Sequence, residues 1–160
     1  MQNNEIEIRR AKLSDVDKIN YLLFQVHKVH SDARPDLFVS GAKKYTDEQL
    51  RQILIDETKP IFVATQNGIV LGYAFCVFIN NGENASHTDI KTLYIDDLCV
   101  DATCRGKGIG KLLYQYVIEF AKKCGCYNVT LNVWADNKNA VAFYEKIGMH
   151  IQKIGMEKIL

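Results

Sequence analysis

The chain lacks the features that mark disordered, secreted or membrane-spanning proteins. It has only two prolines among 160 residues, and 48% of its residues are hydrophobic, which favours a folded globule over a disordered chain. No apolar run approaches the roughly 18 residues of a membrane span. Residues 1–10 are polar and have no apolar signal-peptide core. We therefore expect one cytoplasmic domain covering residues 1–160.

An excess of charge of one sign is also missing, since 20 basic and 19 acidic residues leave a formal net charge of +1. Without a polybasic run, neither a nucleic acid nor an anionic membrane is an expected partner. The five cysteines are odd in number and follow no disulfide or zinc pattern, which is typical of reduced thiols. His27 and His30 lie one turn apart, but a metal would need further ligands, so no metal site is expected.

A glycine-rich segment is the most informative feature that is present. Arg105-Gly106-Lys107-Gly108-Ile109-Gly110 lies between a strand pattern at 93–100 and a helix pattern at 111–124. Such a turn leaves backbone N–H groups unpaired at the positive end of a helix dipole, which suits a phosphate or pyrophosphate. A dinucleotide fingerprint would need glycine in place of Lys111, and a P-loop would need Ser or Thr in place of Leu112. A phosphorylated cofactor held by another kind of loop is therefore predicted.

The spacing R-x-x-G-x-G in this segment resembles the pyrophosphate loop of the GNAT superfamily of acetyl-CoA-dependent N-acetyltransferases. A second segment, from Asn137 to Met149, resembles the N-x-x-A-x-x-F-Y-x-x-x-G motif of the same family. The two segments occur in the family's order, with room for one helix and one strand between them. The specific resemblance covers residues 91–149.

Hydrophobic periodicity predicts the element order β-α-α-β-β-β-α-β-α-β. The first helix is expected to end near residue 29, Thr46 and Gln49 predict a capping box at the start of the second helix, and a strand is expected at 127–134. With an early hairpin at Gln66-Asn67-Gly68, this order indicates an α/β (α+β) fold with a mixed sheet and helices on both faces. The resemblance implies the same layout, a central twisted GNAT-like sheet. Residues 150–160 are predicted to form one last strand or a short hairpin. Because this tail is short for the family, that strand is either single or completed by a partner subunit, which leaves a homodimer open.

The resemblance implies acetyl-CoA as the co-substrate. Backbone N–H groups of the glycine loop would hold the pyrophosphate, and the preceding strand would hydrogen-bond the pantetheine arm. The Arg105 and Lys107 side chains either add charge near the phosphates or are simply solvated, and Asn137 either contacts the arm or caps its helix. The predicted cofactor-binding residues are Leu98, Cys99, Val100, Arg105, Gly106, Lys107, Gly108, Ile109, Gly110, Lys111, Asn137, Asn139, Ala140 and Tyr144.

Acetyl transfer to an amine also needs a base, because a lysine-like ammonium with a pKa of about 10.4 is almost fully protonated at neutral pH. Asp96 and Asp97 are the candidates, and the alternative for either is that it only binds a basic neighbour or the backbone. Neighbouring strand residues point to opposite faces, so only one is expected to face the substrate, and a bulge would exchange their roles. The resemblance to diamine acetyltransferases, which have a Glu-Asp pair here, favours Asp96.

The remaining roles also come from the resemblance. Tyr144 matches a tyrosine that protonates the leaving thiolate, although a tyrosine that only packs in the core is the alternative. The Leu98 N–H is the implied oxyanion donor. No histidine partner is evident for Cys99 or Cys104, which favours direct transfer in a ternary complex over an acetyl-enzyme. The predicted acceptor-binding residues are His30, Arg34, Asp36, Phe38, Asp96, Asn132 and Trp134.

The predicted function is therefore N-acetyltransferase activity, with an acetyl group moving from acetyl-CoA to a primary amine. Small amines, amino acids, aminoglycoside-like drugs and protein amines all remain open as acceptors, and the two adjacent aspartates favour a polyamine-like cation. The alternative is a non-catalytic acyl-CoA-binding regulatory module that keeps the loop and lacks the acid or base. The absence of P-loop spacing disfavours a nucleotide-dependent phosphotransferase.

Overall fold

The structure, a computed structural model, describes residues 4–82 and 85–160. At its centre is a five-stranded sheet in the order β1-β2-β3-β4-β5. The strands are β1 Glu7–Arg10, β2 Ile61–Gln66, β3 Ile69–Asn80, β4 Lys91–Val100 and β5 Asn128–Leu131. The helices are α1 Val16–Ala33, α2 Asp47–Leu54, α3 Ile109–Lys123 and α4 Lys138–Lys146. Strands β1 to β4 are antiparallel neighbours and β5 is parallel to β4, which makes the sheet mixed.

Helices cover both faces of the sheet, and the alternation of side chains along β2 shows how. Ile61 and Val63 belong to the core cluster under α1 and α2, whereas Phe62 and Ala64 belong to the cluster under α3. Because both faces are covered, β2 is buried from Ile61 to Thr65 and has no polar face. The predicted fold class is therefore confirmed.

The ends of several elements differ from the sequence-based expectation. Helix α1 continues to Ala33 rather than ending near residue 29, so His30 is helical. Strand β5 is only four residues long, although the pattern predicted a strand from residue 127 to residue 134. The predicted capping box of α2 is present, because the Gln49 N–H donates to the Thr46 hydroxyl at 3.1 Å and the Thr46 N–H donates to the Gln49 side chain at 2.9 Å.

The last strand predicted for residues 150–160 is not formed. These residues have no regular secondary structure, and all of them are exposed. A strand requires ladder hydrogen bonds from a neighbour, and the part of the chain that the structure describes supplies none to this tail. The prediction is thus wrong for the single chain. No helix within the described residues is both long and apolar enough to cross a membrane.

Candidate active site

Strands β4 and β5 are paired along only part of β4. Thr92 to Ile95 pair with Asn128 to Leu131, after which β5 ends and β4 continues to Val100. From Asp96 onward, β4 is paired with β3 alone among the described residues. Backbone groups on the other side of this segment are therefore open to a ligand. The segment contains Leu98, Cys99 and Val100, which were predicted to hold the pantetheine arm.

The glycine loop follows this open segment directly. Gly106 has a φ of 81° and Gly108, the N-cap of α3, has a φ of 75°, a region that side chains with a Cβ disfavour. The Leu112 N–H donates to the Gly108 carbonyl at 3.1 Å. Within the described residues, the backbone N–H groups of 105–111 donate no hydrogen bond. Several free donors thus lie at the positive end of the α3 dipole, an arrangement suited to a pyrophosphate.

Gly110 lies beside Phe143 of α4 and Val100 of β4. A Cβ there would lie 3.4 Å from Cζ of Phe143 and 3.7 Å from Cγ2 of Val100, whereas a Cβ on Gly106 or Gly108 would meet nothing within 4 Å. These are ordinary van der Waals distances, so α3 and α4 are in contact at this point. The two motifs singled out in the sequence therefore lie against each other.

The other predicted cofactor residues have mixed environments. Asn137 caps α4, since its Oδ1 accepts the Ala140 N–H at 3.2 Å. Asn139 is exposed, as are the side chains of Arg105, Lys107 and Lys111. Ile109 is 1% exposed, so only its backbone is available to a ligand.

A β-bulge places Asp96 and Asp97 in β4. Phe75 of β3 pairs with Asp97, and the next residue, Cys76, pairs with Ile95, so Asp96 is the extra residue. The bulge changes the direction of the side chains that follow it. The simple alternation expected for two neighbouring strand residues does not hold here.

Two tyrosines show that both carboxylates lie on the same face of the sheet. The Tyr45 hydroxyl donates to Asp96 at 2.5 Å, and the Tyr73 hydroxyl donates to Asp97 at 2.7 Å. Both phenol rings pack against Phe75, at centroid distances of 5.5 and 4.9 Å. The expectation that these two neighbouring strand residues point to opposite faces is therefore wrong.

The two aspartates nevertheless differ in how far they are exposed and in whether they form an ion pair. Burial raises the pKa of Asp97 to about 6, although the Tyr73 hydroxyl and Lys44 oppose this. The Asp96 side chain is 21% exposed and forms an ion pair with Lys44, whose Nζ lies 2.8 Å from Oδ2. Burial, together with Asp96, raises the pKa of Tyr45 far above its ordinary value, so this phenol remains a donor.

The sequence interpretation did not include Lys44 and Tyr45 in the site. Both precede the α2 cap, 52 and 51 residues before Asp96, so no local pattern links them to β4. Only the packing of α2 on the sheet brings them to the carboxylates.

Tyr144 of α4 lies near Asp97. Burial, followed by the charge of Asp97, raises the pKa of Tyr144 to about 12. The phenol thus stays protonated at neutral pH, as a proton donor must. Burial likewise raises the pKa of the Cys99 thiol to about 12, and a protonated thiol is a poor nucleophile.

Four of the predicted acceptor residues lie where the end of α1 meets the segment that follows β5. The Phe38 ring contacts His30 of α1 at a centroid distance of 5.4 Å and Trp134, which follows β5, at 5.9 Å. Asn132 donates to the Tyr94 hydroxyl at 3.3 Å. Burial lowers the pKa of His30, and the charges of His27 and Lys44 act in the same direction. The end of α1 and the segment after β5 therefore meet, as an acceptor site requires.

Arg34 and Asp36 have other partners. The Arg34 guanidinium donates to Asp36 at 2.9 and 2.8 Å and to Glu157 of the tail at 2.6 and 3.4 Å. A guanidinium already shared by two carboxylates is poorly available to a substrate carboxylate. Among the residues that the structure describes, no group of three or more His, Cys, Asp or Glu side chains is arranged to hold a metal.

Comparison with known proteins agrees with this geometry. Residues 26–149 match the acetyltransferase (GNAT) family. The chain is 30% identical over 155 residues to a glucosamine 6-phosphate N-acetyltransferase of Arabidopsis thaliana, with 95% of each chain covered. It is 38% identical over 148 residues to the glucosamine 6-phosphate N-acetyltransferase of Trypanosoma brucei brucei, with 90% and 88% covered. The crystal structure of a mutant of the BH1408 protein from Bacillus halodurans aligns with a TM-score of 0.91 and 31% identity, covering 96% and 99%.

These similarities define an enzyme that transfers an acetyl group to an amine. The chain belongs to the acetyltransferase (GNAT) family, whose enzymes use acetyl-CoA as co-substrate.

Proposed function

We propose that this enzyme transfers the acetyl group of acetyl-CoA to a primary amine by direct attack within a ternary complex. One observation carries the proposal. The open backbone groups from Asp96 to Val100 lead straight into the free N–H groups of the glycine loop. An extended arm that ends in a pyrophosphate needs these two features in this order.

The donor would be held mainly by backbone. The N–H groups of residues 105–111 suit the pyrophosphate, while the exposed Arg105 and Lys107 side chains add positive charge to the same loop. The open edge of β4 suits the amide groups of the arm. When bound, acetyl-CoA supplies the thioester carbonyl that the amine attacks.

Asp96 would bind the acceptor ammonium and take its proton. The Lys44 ammonium, 2.8 Å from Oδ2, is an internal example of a primary ammonium bound at this carboxylate. Both the Lys44 and the Tyr45 bonds reach Oδ2, and Oδ1 accepts no hydrogen bond from the described residues. Oδ1 is thus open to an acceptor, and a small cationic amine fits this negative site best.

Tyr144 would complete the reaction by giving its proton to the departing sulfur. As the new C–N bond forms and the C–S bond breaks, the acceptor ammonium loses two protons. The first passes to Asp96, Tyr144 gives its own proton to the departing thiolate, and the second amine proton restores the Tyr144 hydroxyl. The high pKa of the Cys99 thiol argues against an acetyl-cysteine intermediate.

The test combines calorimetric binding of acetyl-CoA with thiol release against a panel of acceptors. The panel contains polyamines, amino acids, aminoglycosides, glucosamine 6-phosphate and short peptides, and the fastest turnover is expected with a polyamine. Tight binding without turnover on any acceptor would instead support a regulatory module.

A matched pair of variants tests the donor site. Gly106→Leu and Gly125→Leu place the same side chain at φ values of 81° and 73°, and a Cβ at either position meets nothing within 4 Å. We expect Gly106→Leu to lose acetyl-CoA binding and Gly125→Leu, at the other end of α3, to keep it. Equal affinities for the two folded variants would contradict the assigned cofactor site.

A further inference from the structure

Lys44 places its side-chain ammonium at the carboxylate that is proposed as the base. Its Nζ lies 2.8 Å from Oδ2 of Asp96. Residues 42–46, which precede α2, are neither helix nor strand, so the lysine reaches β4 from a loop. Its side chain is 41% exposed, which leaves part of it open to a molecule that approaches from solvent. A primary amine, the acceptor group of the proposed reaction, is therefore already present at the site within the chain itself.

The neighbour of Lys44 in the sequence helps to hold it there. The Tyr45 hydroxyl donates to the same Oδ2 of Asp96 at 2.5 Å, and its ring stacks on Phe75 of β3 at a centroid distance of 5.5 Å. The Lys44 Nζ lies 5.5 Å from the centre of the Tyr45 ring, within range of a cation–π contact. An amine that is already positioned loses less freedom on reaching a transition state than one that arrives from solution.

The thioester of the donor would lie beside the same carboxylate. Asp96 begins the segment of β4, up to Val100, that is paired with β3 alone among the described residues, and the glycine loop follows this segment. Five residues of strand span about 16 Å. An arm that starts from a pyrophosphate in the loop and follows the segment to its far end would bring its thioester to Asp96, where the Lys44 amine lies.

We propose that Lys44 is a self-acetylation site, whose Nζ attacks the thioester of acetyl-CoA bound to the same chain. This inference rests on the proposed function, because it uses the same donor site and the same base. As the Nζ–C bond forms and the C–S bond breaks, the ammonium loses two protons. The first passes to Asp96, and the second restores the Tyr144 hydroxyl after Tyr144 has protonated the thiolate. The products are Nε-acetyl-lysine and free CoA, and the amide nitrogen is no longer a nucleophile.

Two other lysines are matched controls within the same chain. Lys43, next in the sequence, is only 16% exposed and is ion-paired with Asp47. Lys28 is 75% exposed, and its Nζ lies 2.5 Å from the carboxylate of Asp32, its neighbour one turn along α1. Spontaneous acetylation by a thioester would favour the more exposed Lys28, whereas transfer within the proposed site should favour Lys44.

Peptide mass spectrometry of the full chain, incubated with acetyl-CoA and no other amine, tests the inference. We expect the acetyl group on Lys44, added about 10²-fold faster than on Lys28, at the lower end of what general base catalysis contributes. At saturating acetyl-CoA the rate constant should not change with protein concentration, because donor and amine belong to one complex. Asp96→Asn should slow the labelling of Lys44 by about 10²-fold and leave that of Lys28 unchanged.

The wild-type chain alone can overturn the inference, whether or not the variant folds. Labelling that follows exposure, with Lys28 modified before Lys44, would do so, as would a rate constant that rises with protein concentration. An unmodified Lys44 in a chain that acetylates an amine of the acceptor panel would also overturn it, while leaving the proposed function intact. A chain that binds no acetyl-CoA in calorimetry would contradict both.

Discussion

The two edge strands of the sheet, β1 and β5, differ in their charged side chains. At the β1 edge, the Arg9 guanidinium forms a two-pronged ion pair with Asp15, at 2.8 and 3.0 Å. Burial alone would raise the pKa of Asp15, but hydrogen bonds from Arg9 and from the Lys12 N–H bring it below its ordinary value. At the β5 edge, four uncharged, half-buried residues have no such arrangement. The β1 edge therefore has an ion pair formed within the chain, whereas the β5 edge has no charged side chain.

The same contrast extends inward from the edges. The closed half, which comprises β1 to β4 with α1 and α2, contains side chains with no exposure at all, such as Leu22, Leu50 and Tyr73. The open half, which comprises β5, α4 and residues 150–160, contains no fully buried residue. The candidate active site lies at the junction of the two halves. The closed half thus positions the carboxylates, while the open half brings Tyr144 of α4.

The largest effect on stability is expected in the closed half. Leu22→Ala, at a position with 0% exposure, should lower the free energy of unfolding by about 2–5 kcal/mol, through lost burial and the cavity left behind. Urea denaturation measures this change. The matched control is Leu112→Ala on α3, where the side chain is 40% exposed and little should change. Equal losses at the two positions would mean that the closed half is not the stable core.

The contribution of the open half to the chemistry is tested at Tyr144. Tyr144→Phe keeps the ring and removes the proton donor, so kcat should fall by roughly 10²-fold, within the range for general acid catalysis. KM for acetyl-CoA should change little. Tyr127→Phe, at a position that is 73% exposed, serves as the control. Full activity in Tyr144→Phe would leave this tyrosine with a packing role only.

The buried carboxylate should give the closed half a distinctive pH dependence. Because the folded-state pKa of Asp97 is about 6 against an ordinary 3.8, the folded protein binds this proton more tightly than the unfolded chain does. Its contribution to stability is therefore largest below about pH 4 and declines as the pH rises to about 6. Asp97→Asn removes that contribution.

Thermal unfolding measured from pH 4 to pH 7.5 checks this prediction. The stability of Asp97→Asn relative to wild type should increase as the pH rises through the window between the two pKa values. Parallel curves for wild type and Asp97→Asn would rule out a buried charge at Asp97.

The smallest effect is expected in the open half. Leu131→Ala removes a half-buried side chain of β5, whose surroundings are already incomplete, so the loss should be about 1 kcal/mol, typical of point substitutions. Urea denaturation again provides the measurement. A loss as large as that for Leu22→Ala would show that the open half is better packed than its exposure indicates.

The sequence predicted the features that local patterns determine. The glycine spacing placed the loop and α3 to within a few residues, and the Thr46 and Gln49 pattern marked the start of α2. The bulge at Asp96 depends on the register of β4 against β3, which no local pattern reports. Lys44 and Tyr45 reach Asp96 only through the packing of α2 on the sheet.

The tail shows a different limit of sequence interpretation. Its apolar residues predicted a strand, but the tail is exposed and forms none. A strand, however, is a property of two pairing segments, and one segment cannot specify where its neighbour comes from. The single chain has an open edge and an unpaired tail, and it does not join them.

The positive φ angles of Gly106 and Gly108 suit a D-amino acid better than an L-amino acid. D-alanine prefers this region of backbone space, because a mirror-image residue avoids the strain that an L side chain has at positive φ. A chemically synthesised chain with D-alanine at 106 or 108 should be stabilised by about 0.4–1 kcal/mol, because its unfolded form has fewer conformations to lose. At Gly110, in the first turn of a right-handed helix, the same residue should destabilise. The shape of the loop thus depends on the left-handed backbone of these two glycines.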